Sequence, residues 1–200
     1  MDTDRARLRR TLRSQRNALD RHEQAAASAS VNRILRTTHR FRVSRRIAFY
    51  IAEDGEIDIS GLMERAWSMG KTCYLPVLSH LINDRLWFAP VEPDTPMVFN
   101  RFGIPEPAVP SRQLRDARHL DLILLPLVGF DGAGNRLGMG GGFYDRSLEF
   151  LRHRTSWHKP RLYGVAHELQ KVDQLAVQPW DVPLQAVVTD RQIYFFDRGR

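Results

Sequence analysis

The sequence is poor in cysteine, in lysine and in long apolar runs. A single cysteine, Cys73, in 200 residues excludes an internal disulfide and any cysteine-based zinc site. Its place in a predicted strand makes it a buried, inert thiol. The longest apolar stretch, 122–128, falls far short of the roughly 20 residues that a membrane helix needs. The amino terminus is polar and charged, unlike a secretory signal. These absences point to a reducing, cytoplasmic setting with no membrane. Lysine occurs only as Lys71, Lys159 and Lys171, so the net charge of +7 is carried by arginine. Such a surplus suits anionic partners, although a compositional bias of the source would produce it as well. No nucleophilic triad is visible. His22, His39, His80, His119, His153, His158 and His167 stand mostly in polar contexts and read as surface residues; His153 and His158 are a weak metal candidate.

What the chain does have is glycine in one place. Gly129-Phe130-Asp131-Gly132-Ala133-Gly134-Asn135-Arg136-Leu137-Gly138-Met139-Gly140-Gly141-Gly142-Phe143-Tyr144-Asp145 follows the apolar run 122–128, which reads as a buried strand. It precedes Tyr144, Leu148 and Leu151 at helical spacing. The order strand, glycine loop, helix suits an anionic ligand. Glycine admits close backbone approach, and a helix start offers unpaired N–H groups. Arg136 adds a planar fork for phosphate oxygens, and Asp145 a hard oxygen of the kind that holds Mg²⁺ beside a nucleotide. The plainer alternative is a mobile loop with a solvated arginine and an acidic helix start. A P-loop is excluded because no Gly-Lys-Ser/Thr follows. The dinucleotide fingerprint fails because Phe143 stands where its third glycine belongs.

The rest of the chain reads as one α/β domain over 1–200, without repeats or a linker. A basic helix spans 4–17, with Arg5, Arg9 and Arg16 within about 40° of one another on a helical wheel and Leu8 and Leu12 beside them. Asp20 caps a second helix over 21–39, with Ala27, Val31, Ile34, Leu35 and Thr38 inward. A strand over 46–51 runs into the acidic turn 52–58, and Asp58 or Ser60 caps a helix closed by Gly70. Strands follow at 71–76 and 86–91. The segment 102–107 holds too much proline for a helix or a central strand. Residues 111–118 make one or two helical turns. Strands are expected at 161–166, 185–189 and 192–196, with a short helix or turn at 172–175 and a proline-pinned loop at 178–184. Alternating strands and helices argue a three-layer α/β/α fold with a mainly parallel sheet. Ligands then sit beyond the carboxyl ends of the strands, where the loops 52–58, 129–142 and 178–184 converge. Asp145 and Asp181 could share a Mg²⁺, or could be a helix-start carboxylate and an Asx-turn residue. Glu56 is a ligand anchor or one more charge in its turn. Phe102 stacks on a planar ring or simply packs.

Taken together, these residues resemble the 5-formyltetrahydrofolate cyclo-ligase family, also called methenyltetrahydrofolate synthetases. The long glycine signature through Asp145-Arg146 carries most of the likeness. Four other segments match in order: Arg5…Leu8-Arg9…Arg16, Glu56-Ile57-Asp58, Phe102-Gly103-Ile104-Pro105-Glu106-Pro107 and Pro179-Trp180-Asp181-Val182-Pro183-Leu184. The resemblance implies an ATP- and Mg²⁺-dependent closure of 5-formyltetrahydrofolate to 5,10-methenyltetrahydrofolate. It also implies a fold like that of the sugar-phosphate isomerase and CoA-transferase group. By position, Arg5, Arg9 and the run Arg136, Leu137, Gly138, Met139, Gly140, Gly141, Gly142, Phe143 and Tyr144 would bind ATP, with Arg136 and Tyr144 catalytic. Ile51, Glu56, Phe102 and Met139 through Phe143 would border the folate, and Asp145 and Asp181 would serve the metal. Arg5 stands where a lysine is common, Gly141 where some members carry lysine, and Trp180 where histidine is frequent. Two other readings are a phosphosugar-processing enzyme on the same fold and a basic nucleic-acid-binding protein. The second is disfavoured by the lack of any nucleic-acid module or of aromatics interleaved on the first helix.

Overall fold

The computed structural model describes residues 2–78, 85–153 and 159–196. Helix α1 (Asp2–Asn17) is followed by α2 (Arg21–Thr37), whose start is fixed by a capping box between Asp20 and Glu23. The predicted helix to residue 39 is broken at Thr38, which takes extended dihedrals, closes α2 and caps the one-turn α3 (His39–Val43) with its hydroxyl. Strand β1 (Arg46–Ala48) is shorter than expected. Phe49 still bonds through its amide to Tyr74 O, but the chain then leaves the sheet for the acidic turn. Helix α4 (Ser60–Ser68) begins where Asp58 accepts from the Ser60 amide and ends at Gly70, in the left-handed region.

The sheet continues with β2 (Thr72–Leu78) and β3 (Leu86–Val91). The proline-rich segment forms a separate ribbon, β4 (Met97–Phe99) with β5 (Pro105–Pro107). Single 3-10 turns at 111–113 and 117–119 lead into β6 (Leu122–Pro126). The glycine stretch is only partly a loop: β7 (Gly129–Phe130) and β8 (Arg136–Leu137) pair as a short antiparallel hairpin ahead of α5 (Phe143–Leu148). Then come β9 (Arg161–Val165), a 3-10 turn at 168–170 in place of the turn expected at 172–175, and the closing pair β10 (Ala186–Val188) and β11 (Ile193–Phe195).

Seven strands form the central sheet in the order β11-β10-β9-β6-β1-β2-β3. The five inner strands are parallel, and the outer two pair antiparallel. Alternation along the strands divides the core by face. Ile47, Leu122 and Leu124 point to the side packed by Val31 and Leu35 of α2, Phe41 of α3 and Ala66 of α4. Ala48, Ile123 and Leu125 point to the side covered by Leu148 of α5, Leu120, Phe130 and Leu184. Helices thus cover one face, while the other is covered by a short helix, 3-10 turns and the hairpin. Because the inner strands are parallel, all their carboxyl ends emerge at one edge and all their amino ends at the other.

Candidate functional site

The carboxyl edge is closed by α1. Its apolar stripe docks Leu12, with Leu8 beside it, against Val128, Leu137 and Leu175. Its arginines tie three loops in succession. Arg5 donates to Ala176 O (2.9 Å) and Asp181 Oδ2 (3.0 Å), and Arg9 donates to Gly138 O (2.7 Å). Arg13 and Arg16 both reach Asp54 Oδ2 at 2.7 Å. Arg16 is only 1% exposed and also donates to Asp54 O and Leu127 O. These bonds, led by that from Arg13, hold the Asp54 carboxyl down at about 2. The three loops expected to share one edge are therefore joined through one helix. Leu184 N to Gly134 O (3.0 Å) links two of them directly.

The hairpin explains the first half of the glycine stretch. Asp131, buried, accepts from the amides of Ala133, Asn135 and Leu175 and from the Asn135 side chain. A Cβ at Gly134 would meet the Phe196 ring at 2.7 Å. Residues 129–137 are thus tied into a hairpin, and Arg136 and Leu137 lie inside the protein rather than on an open loop. Arg136 donates to Val182 O and, at 2.7 Å, to Asp145 Oδ1, which also takes the Val182 amide at 3.0 Å. The open part is 138–142. There Gly140 sits at φ 106°, a value that side chains avoid, with the Arg9 guanidinium against it. Met139 is exposed. Beyond it Phe143 meets Phe102 edge to face, centroids 5.9 Å apart, so two segments 41 positions apart in sequence present aromatic rings together.

Glu56, in the acidic turn after β1, is largely buried. Its Oε1 is 3.9 Å from Arg16 NH1 and its Oε2 accepts from the Glu53 amide. Burial pushes its carboxyl up to about 7, and Arg16 opposes that rise. Tyr144 has its hydroxyl pKa raised by burial and by Glu56, with Arg136 acting in the opposite sense, so it sits electrostatically between the two. Ile51, partly buried, packs against the core on the α2 side of the sheet. Asp181 is held by Arg5 and by the Gln178 amide, both on Oδ2. Asp145 and Asp181 occupy neighbouring segments, each with one carboxylate oxygen bonded inside the protein. Among the described residues no group of three or more His, Cys, Asp or Glu could hold a metal ion by itself.

Two contributors were not singled out in the sequence. Arg146 donates to Gly141 O and lies 5.4 Å over the Phe143 ring, bracing the turn from the helix side. His167, read as a surface residue, is 2% exposed, its Nε2 is 3.0 Å from Gly55 O, and burial lowers its pKa. Its position directly after the apolar strand 161–166 was the available signal. His22, His39 and His119 are exposed as expected; His80, His158 and the side chain of His153 lie outside the described residues.

A sequence model of the 5-formyltetrahydrofolate cyclo-ligase family matches residues 1–190. The chain belongs to that family. It is 37% identical over 183 residues to the 5-formyltetrahydrofolate cyclo-ligase of Escherichia coli K12, covering 92% of this chain and 98% of that one. The Haemophilus influenzae enzyme of the same name is 39% identical over 179 residues, 88% and 90% of the two chains. Among solved structures, the 5,10-methenyltetrahydrofolate synthetase of Aquifex aeolicus superposes with a TM-score of 0.81 at 28% identity, covering 98% and 94%. The α/β architecture with its mainly parallel sheet is that of this family. No described helix is long and apolar enough to cross a membrane.

Proposed function

We propose that this cyclo-ligase closes 5-formyltetrahydrofolate to 5,10-methenyltetrahydrofolate in the cytoplasm, at the expense of ATP and with Mg²⁺, at the edge closed by α1. The observation that carries the placement is the open turn 138–142. It offers backbone N–H groups and small residues, holds Arg9 against Gly140, and adjoins the Phe102–Phe143 pair. A triphosphate fits the first two features and a flat heterocycle the third.

The formyl oxygen is amide-like and leaves poorly. In the proposed route it takes the γ-phosphoryl group, releasing ADP. The N10 amine then attacks the formyl carbon, loses its proton and expels phosphate as the ring closes. The first step needs alignment and charge neutralisation more than a protein nucleophile, which fits a site with no His or Cys at the turn. The second is intramolecular and is helped mainly by orientation. Arg9 and Arg5 would meet phosphate oxygens directly. Arg136, enclosed by Asp145 and Val182, would act by holding α5 and the 178–184 loop in register. Tyr144, Glu56 and Ile51 would line the folate side with Met139. Asp145 and Asp181 suit an ion that arrives on the nucleotide and keeps waters, because one or two carboxylates suffice for it. Such an ion would supply positive charge at the phosphates.

Incubation with 5-formyltetrahydrofolate, ATP and Mg²⁺ tests the reading. Methenyltetrahydrofolate absorbance should rise in step with ADP and phosphate. Nucleotide hydrolysis indifferent to the folate would refute it. Asp145→Asn and Asp181→Asn should each raise the Mg²⁺ concentration needed for half-maximal rate; an unchanged requirement in both removes the metal assignment.

A further inference from the structure

At the opposite edge of the sheet, where the amino ends of β1, β2, β6 and β9 emerge, lies a cavity of about 500 Å³ lined by Val43, Arg45, Arg46, Thr72, Asp121 and Lys159. Three of these six residues are cationic, and Asp121 is the only carboxylate. Asp121 is already committed to the walls. Its Oδ2 takes the amides of Arg45 and Arg46 at 3.0 Å each, and its Oδ1 takes Lys159 Nζ at 2.7 Å, with Arg46 NH2 at 3.7 Å. The carboxylate is 9% exposed and so forms the floor, fixing the backbone from which the two arginines rise. Among these six described residues one negative charge is set against three positive ones.

Two further cations, Lys71 and Arg161, flank the starts of β2 and β9. Lys71 donates to Arg42 O and Ser44 O at 2.7 Å and is disfavoured as a cation by burial and by Arg45. Arg161 is likewise disfavoured by burial and by Arg40. Like charges pressed together cost free energy that folding alone does not require. A concave pocket with guanidinium forks, an ammonium and the Thr72 hydroxyl is chemistry suited to a multiply charged oxyanion. Nothing in the cyclo-ligase reading uses it, since every residue assigned to that reaction lies at the other edge.

We propose that this amino-edge cavity binds a phosphate-type oxyanion, either inorganic phosphate or the phosphate of a small ester, with Arg45, Arg46 and Lys159 as its cationic contacts.

The full-length protein should be titrated with inorganic phosphate and with tripolyphosphate while backbone amide resonances are followed. Sodium chloride at matched ionic strength controls for screening. Amides of Arg45, Arg46, Thr72 and Lys159 should shift saturably with phosphate and not with chloride. Arg45→Gln, which keeps the backbone bond to Asp121, should weaken that response roughly tenfold and leave the response of Gly138–Gly142 to tripolyphosphate intact. The double variant Arg45→Gln/Thr72→Val should nearly abolish it while circular dichroism and unfolding midpoint stay close to wild type. An amino edge that shifts equally with chloride, or a response unaltered in both variants, overturns the proposal. Because the two sites report through different amides, failure here is distinct from failure of the cyclo-ligase assignment.

Discussion

Glu56 is a carboxyl group held away from water beside a buried guanidinium, and its pKa of about 7 has two consequences. The unfolded chain releases this proton near 4.5, the native state only near 7. The stabilisation from keeping the proton is complete below about 4.5 and is lost as the pH rises through 7, by about 3 kcal/mol at most. Glu56→Gln cannot ionise, so its urea midpoints should lack that slope between pH 4.5 and 7. If the ionised carboxylate accepts from the folate, kcat/KM should rise through pH 7 in the wild type and lose that limb in the variant. Arg136 and Arg9 separate in the same way. Arg136→Ala leaves Val182 O without its guanidinium donor and the partly buried Asp145 carboxylate with only the Val182 amide, and should cost about 3 kcal/mol in unfolding free energy. Arg9→Ala removes a half-buried bond to Gly138 O and should cost about 1 kcal/mol of stability while raising KM for ATP. Equal stability losses in the two would contradict the division between holding and binding.

Helix α1 is the element on which the site's shape depends. It reaches three loops that the sheet alone would leave separate, and a small apolar contact around Leu12 seats it. Leu12→Ala should destabilise by about 2–3 kcal/mol. Hydrogen exchange should then speed up at Val128, Leu137 and Leu175 before it changes in β6 or β9. Uniform acceleration across the sheet would mean that α1 is part of the global folding unit rather than a strap over its edge. The repetition of arginine at 5, 9 and 16 showed that this helix has a polar face. What that face touches was not visible, because Asp54, Gly138 and Asp181 lie 38 to 176 positions away. Arg16 shows the limit well: on the helical wheel it shares a basic stripe with Arg5 and Arg9, yet it is among the most deeply buried side chains of the protein.

Over the whole molecule, the charge of +7 sits on a chain whose proposed substrates are both anions. Long-range attraction speeds encounter and fades once salt shortens its reach to a few ångströms. kcat/KM for ATP should therefore fall several-fold between about 0.05 M and 0.5 M salt, with kcat nearly constant. A flat response would make the arginine surplus compositional. The two sheet edges differ in kind. The carboxyl edge sets Asp54, Asp145 and Asp181 against Arg16, Arg136 and Arg5, whereas the described lining of the amino-edge cavity holds three cations and one aspartate.

The periodicity of apolar residues determined the layers, because burial repeats every two residues in a strand and about every 3.6 in a helix. The order of strands and helices determined the parallel sheet, and the glycine signature with its four companion segments determined the family. Local pattern could not separate a hairpin from a loop at 129–137. The bonds that make it a hairpin's turn come from Asp131, which also holds Leu175, 44 positions on. Nor could it show which arginines are enclosed, since Arg136 and Arg16 are bonded to Val182, Asp145 and Asp54 from other segments. Those pairings exist only once the sheet has brought its carboxyl ends together, and so they were decided by the tertiary structure.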